Sequence, residues 1–339
     1  MKARSLGILF ALCSMALLQE HLPSVSSAPL VDYHQHLFSP AVGKLAPGME
    51  PLTATDLGSL LHAAGIRKAL VLSVANQFSN PNKPKVENEY EHVKAENDWT
   101  SQQVAQYPNR LRGFCSVNPL KEYALTEIAR CAKDPNLHFG LKLHFGNSDI
   151  DLHDSNTVKE VCRVFKAANK NRMAIVVHMR LSITRKRPYG ANEARIFLNK
   201  VLPCATHVPV QIAHLAGAGS YDDPTVDEAL AVFAEAGTKR DKPMAHVYFD
   251  VSGVVGYGQW QEKVSLLVTR IRQLGAERIL YGSDGARRKP CTTGGLDRLS
   301  HVALDRRRIS HHREQPASVH EVNCSNLATI YTTHCEGSW

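Results

Sequence analysis

Residues 31–36 read Val31-Asp32-Tyr33-His34-Gln35-His36. A short apolar run turns polar at its carboxyl end, and two imidazoles stand two residues apart. Period two puts both histidines on one face of a β-strand, close enough to share one cation. Seven further apolar, β-branched-rich runs follow, at residues 68–74, 111–117, 139–145, 173–178, 208–214, 246–252 and 278–283. Segments of helical periodicity lie between most of them, at 53–64, 86–106, 126–132, 158–169, 191–201, 225–236 and 259–274. Strand alternating with helix calls for parallel strands joined by helical crossovers, and eight such strands predict a (β/α)8 TIM barrel. A doubly wound open sheet is the competing fold; it would want a glycine-rich phosphate turn after the first strand, and the sequence has none there.

The strand ends favour the barrel. The first run leads into Asp32, His34 and His36, the fourth into Lys142 and His144, the fifth into His178 and the sixth into His214. The seventh carries Asp250 and Ser252, and the eighth leads to Asp284. So many polar groups are costly to bury unpaired. In a barrel they converge on the carboxyl-terminal mouth, where active sites are built; in an open sheet they would spread along an edge.

The ordered set VDYHQH (31–36), GLKLH (140–144), VVH (176–178), IAHLAG (212–217), VYFDVSG (247–253) and RILYGSD (278–284) resembles the amidohydrolase superfamily. The resemblance is to its amidohydrolase-related branch of metal-dependent hydrolases and decarboxylases, and it covers residues 30–285. It implies His34, His36, His178 and Asp284 as metal ligands, with His214 beside the metal as an acid/base or orienting group. Mostly imidazole ligands point to one zinc ion. A metal with an open position lowers the pKa of its bound water. Asp284 is then the expected group to take that proton and pass it to the leaving group. Lys142 and His144 share a face by period two and are expected to contact a substrate anion. The superfamily also has two-metal members in which a carboxylated lysine bridges, and Lys142 stands at such a position. Arg180, two residues beyond His178, is a candidate fork for a substrate carboxylate in an otherwise basic, solvated loop. Asp250 reads either as the group that fixes an imidazole or as an ordinary capping residue. Three readings of function stay open: hydrolysis of a C–N or C–O bond in a small, carboxylated molecule, nonoxidative decarboxylation at the same site, and a barrel that has lost activity.

Composition bounds the rest. The 339 residues are 43% hydrophobic and 21% charged, which excludes a disordered chain or a coiled coil. A formal charge of +8 with no basic–aromatic stripe does not argue for nucleic acid. Lys2 and Arg4, the 13-residue apolar run at 6–18 and the small residues Ser26-Ser27-Ala28 predict a secretory leader over 1–28. The mature protein is then expected to be exported, periplasmic or secreted, with a small molecule as partner and no membrane. Assembly into a homo-oligomer is compatible with this. Eight cysteines show no CxxC spacing. Cys115 reads as a buried strand residue, and a Cys131–Cys162 bridge is considered and not expected. Residues 286–339 lack the closing helices of such a barrel and hold five of the 17 histidines. They are expected to form an atypical basic tail, exposed and protease-sensitive, arising from a reading-frame slip or from divergence.

Overall fold

The computed structural model describes residues 29–46, 48–219, 221, 223–254 and 264–284. The expected leader (1–28) and tail (286–339) lie outside the described residues. Eight parallel strands run in sequence order: β1 Val31–Gln35, β2 Lys68–Leu72, β3 Leu111–Ser116, β4 Gly140–His144, β5 Ala174–His178, β6 Val210–Ile212, β7 Val247–Asp250 and β8 Ile279–Leu280. The helices are α1 Pro40–Leu45, α2 Ala54–Ala63, α3 Glu89–Ala105, α4 Ala124–Cys131, α5 Ser155–Lys170, α6 Ala191–Ile196, α7 Pro224–Thr238 and α8 Val264–Leu274. The (β/α)8 expectation holds. Helix starts follow their caps: Thr53 and Asp56 form a capping box before α2, and Asp154 and Asp223 cap α5 and α7. The sequence reading had no counterpart for α1, a short helix capped by Ser39.

Alternate strand residues divide the interior into two layers. Leu70, Leu72, Phe114, Ala174, Val176, Tyr248 and Leu280 pack together with Tyr33 inside the barrel. Leu141, Leu143, Ile175, Val177, Val210, Ile212, Val247 and Phe249 belong to the cluster that buries Val161, Phe165, Phe197 and Phe233 of the helices. On β1 strict alternation breaks. Asp32 pairs with Ala69 while Gln35 pairs with Val71, so three steps on β1 match two on β2. This bulge lets neighbouring residues share the inner side: Tyr33 joins the apolar layer and His34 reaches Asp250.

The barrel is nearly closed where β8 returns to β1. Tyr33 N–H donates to Tyr281 O at 2.9 Å and Asp284 N–H to His34 O at 3.0 Å. Asp32, fully buried, reinforces the seam by accepting from His34 N (3.0 Å), Ser283 N (3.2 Å) and Gln35 Nε2 (2.7 Å).

Cys115 is buried in β3 and Cys131 and Cys162 are not joined, as expected, but two disulfides form that the sequence did not suggest. Cys115 of β3 is bonded to Cys131 of α4, and Cys162 of α5 to Cys204 in the short turn Leu202–Cys204. Spacing in sequence could not reveal this, because both pairs join separate elements brought together by the fold. Cys131 and Cys162 are each bonded elsewhere.

Two glycines test the packing in opposite directions. A Cβ at Gly140 of β4 would fall within the buried ring of Phe114. At Gly58, in α2, the nearest heavy atom to a Cβ is Tyr107 Cζ at 4.0 Å. Gly140→Ala is therefore expected to lose about 1–3 kcal/mol by overpacking, and Gly58→Ala to gain about 0.4–1 kcal/mol. Urea unfolding midpoints check both signs.

Candidate metal centre

Every polar strand-end residue singled out above, apart from Arg180, is drawn to one end of the barrel. His34 sits on the bulged β1. Its Nδ1 lies 3.0 Å from Asp250 Oδ2 on β7 and 3.1 Å from Ser252 Oγ. A carboxylate accepts only, so Nδ1 carries the proton and Nε2 keeps its lone pair. His36 repeats the arrangement: Nδ1–H donates to Leu72 O at 2.6 Å, and Nε2 lies 3.7 Å from Asp284 Oδ1. His34, His36 and Asp284 can each present a ligand atom such that all lie within 4.8 Å of one another.

Asp250 organises this end. Its Oδ2 also accepts from Gln211 Nε2 at 2.6 Å, and its Oδ1 from His214 N at 3.0 Å, Ser252 N at 3.1 Å and Ser252 Oγ. Burial alone would push its pKa up. Its pairing and hydrogen bond with His34 Nδ1–H, with contributions from His214 and Ser252, hold it far below the usual carboxylate range. Of the two readings of Asp250, the structure bears out the one in which it fixes an imidazole.

His214 follows β6 directly, in a left-handed turn. His214, Leu215 and Ala216 have φ of 55°, 47° and 68°, a conformation costing non-glycine residues about 1–3 kcal/mol each. His214 Nδ1–H donates to Ser252 O at 2.7 Å. Burial above all, with His34 beside it, lowers its pKa to about 4, so at neutral pH it is an uncharged ring whose Nε2 can accept.

His178 and His144 are register partners on β5 and β4, and their rings stack at 3.9 Å. His178 also meets His214 edge-on at 5.0 Å. Burial above all, with Lys142 and the other imidazoles crowded around it, pushes its pKa well down. It stands one ring away from the His34–His36–Asp284 group rather than within it. His144 Nδ1 accepts from Asn147 N at 3.1 Å, which leaves the proton on Nε2. Lys142 is buried, with Nζ 3.4 Å from His34 Nε2.

Arg180 lies against Asp223 and Tyr189. Its Nη2 donates to Asp223 Oδ2 at 3.1 Å, and its guanidinium lies 4.6 Å over the Tyr189 ring. The basic loop that follows is not simply solvated. Arg185 bonds Asn82, Pro81 and Asp149, and Arg187 bonds Asp149 and Asp151. Sequence reasoning missed Gln211, whose only signal was a polar residue within the short apolar β6.

The donor chemistry suits a divalent metal. Two imidazoles with Nδ1 committed elsewhere and one carboxylate leave a coordination position open, the arrangement of a catalytic zinc.

The family model described as Amidohydrolase matches residues 31–296. No curated protein matches the chain. Among solved structures, 2,6-dihydroxybenzoate decarboxylase from Rhizobium is similar at 15% identity, covering 91% of this chain and 99% of that one, with a TM-score of 0.58. 5-Carboxyvanillate decarboxylase from Sphingomonas paucimobilis follows at 16% identity, covering 80% and 92%, with a TM-score of 0.55. An amidohydrolase from Burkholderia multivorans with bound zinc is similar at 12% identity, covering 84% and 95%, with a TM-score of 0.52. At these identities the likeness is one of fold.

Asp250→Asn should shift the His34 proton between its two nitrogens and take away the charge that fixes it. Metal affinity is then expected to fall about 10–100-fold, read by competition with a chromogenic chelator. Unchanged affinity would remove Asp250 from this role.

Proposed function

The chain belongs to the amidohydrolase family, and on that premise we propose that it is a metal-dependent hydrolase of a C–N or C–O bond in a small, carboxylated molecule. The observation that carries this is the His34, His36 and Asp284 ligand atoms within 4.8 Å of one another, with both Nδ1 positions already committed. One zinc ion is proposed there, with His178 as the fourth ligand candidate. A divalent cation supplies Lewis acidity and an activated water at neutral pH.

The remaining roles belong to the chain's own residues. Asp284 takes the proton of the attacking water and hands it to the leaving nitrogen or oxygen. His214, neutral and anchored through Nδ1, turns Nε2 toward the centre as an acceptor that orients the water. Lys142 and His144 Nε2–H, on the β4 side, are proposed to hold the substrate anion. Arg180 Nη2 donates to Asp223 Oδ2 at 3.1 Å.

Decarboxylation is the second reading. The decarboxylases from Rhizobium and Sphingomonas paucimobilis share the fold, and the same ligands would serve. Hydrolysis is preferred because the neutral His214 is an acceptor rather than a donor to carbon.

Purification without chelator is expected to give about one zinc per chain, lost in His34→Ala and His36→Ala. Two metals per chain would make Lys142 a bridging ligand. Against a panel of lactones, small amides and hydroxybenzoic acids, hydrolysis products are expected without carbon dioxide, whereas its release would establish the lyase reading. Asp284→Asn should cost roughly 10²–10⁴-fold in turnover, the scale of general acid–base catalysis, even where metal remains. Full activity would exclude Asp284 from proton transfer.

We also propose that the protein acts outside the cytosol, since the leader pattern at 1–28 is joined by two disulfides. Expression with the leader intact should yield a mature amino terminus near residue 29, and no reactive thiol at Cys115, Cys131, Cys162 or Cys204 without reductant. A retained leader with free thiols at these positions would refute it.

A further inference from the structure

The backbone that carries His214 is left-handed for three residues in succession, each with a Cβ that opposes this conformation. Within the turn, Leu215 is fully buried and Gly217 N donates to His214 O at 2.8 Å. One carbonyl is gripped from a distant part of the chain. The Tyr189 hydroxyl, on the loop between β5 and α6, donates to Ala216 O. Tyr189 is itself buried, and burial pushes its phenol pKa upward, so it stays a donor. Arg180 covers its ring at 4.6 Å and is tied in turn to Asp223, the residue that caps α7. The grip therefore has a fixed base on a helix terminus.

We propose that Tyr189 is a positioning residue for His214, and that Arg180 acts through it. Without the hydroxyl, the left-handed turn loses the one side-chain hydrogen bond to Ala216 O found among the described residues, and the His214 ring loses part of its fixed aim. The inference rests on His214 meeting the reacting atoms, as proposed above.

Tyr189→Phe keeps the ring beneath Arg180 and deletes one oxygen. The test uses the metal-loaded protein with ¹⁵N-labelled histidine, the His214 signal being assigned by its loss in His214→Asn. The expected result is a His214 signature that moves from a single Nδ1–H tautomer to an average of two. Metal content stays unchanged, and kcat falls roughly 10–100-fold, as for a small misplacement, on the fastest compound of the panel, with KM unaltered. Arg180→Lys, which keeps the charge but loses the planar stack, should move the signal the same way by less. It also supplies the test if Tyr189→Phe fails to fold. An unaltered His214 signature in the folded variant overturns the proposal, whatever turnover does. A shifted signature with full turnover upholds the hold on His214 and instead sinks its part in the proposed reaction, so the two failures are told apart.

Discussion

The carboxylate of Asp250 is the point on which the catalytic end depends. A fully buried charge is tolerated only when paired and hydrogen-bonded, and Asp250 meets His34, His214, Gln211 and Ser252 at once. These come from β1, β6 and the β7 terminus itself. Removing one partner from such a group costs about 3–5 kcal/mol, so the strands cannot shift relative to one another without a large loss. The same bonds that stabilise the charge select the His34 tautomer and seat the His214 backbone. Stability and site geometry are thus secured by one set of contacts.

The seam between β8 and β1 obeys a related constraint. Asp32 is as buried as Asp250, yet its pKa is raised, because burial outweighs the bonds from Gln35, His34 and Ser283. No imidazole pairs with it as His34 pairs with Asp250. It binds backbone amides from both sides of the seam, and so fixes Asp284 beside His36. The bulge in β1 starts at this residue. The motif at 31–36 therefore does two things: Asp32 and Gln35 close the barrel, and His34 and His36 stand beside Asp284.

Much of this was legible in the sequence because it is written in period and order. Strand runs ending in His34, His36, Lys142, His144, His178, His214 and Asp284 require only that parallel strands share one mouth, and the structure gathers them there. What was not legible depends on contacts far apart in the chain. The choice between capping and imidazole-fixing for Asp250 needed the position of His34, 216 residues away. The disulfides needed separate elements brought together, α4 against β3 and α5 against the turn Leu202–Cys204. Arg180 looked free because its partners, Asp223 and Tyr189, lie in other segments. The bulge was hidden for a different reason: strict alternation is the assumption from which sequence reading starts, and β1 departs from it.

The placement of His214 and Asp284 follows from strand length. His34 lies on the bulged β1 and His36 just beyond it, their ring centroids 5.2 Å apart. His214 and Asp284 instead lie past the ends of their strands. They follow β6 and β8, the shortest strands of the barrel at three and two residues, and both take positive φ, at 55° and 49°. A left-handed residue at a strand end turns the chain away from the ladder, and it persists only where surrounding bonds over-determine it. Those bonds come from the neighbouring regular strands: Asp250 and Ser252 hold His214, and the His34 carbonyl holds the Asp284 amide. His214 and Asp284 thus stand on left-handed segments held by the strands beside them, while His34 stands on a strand itself.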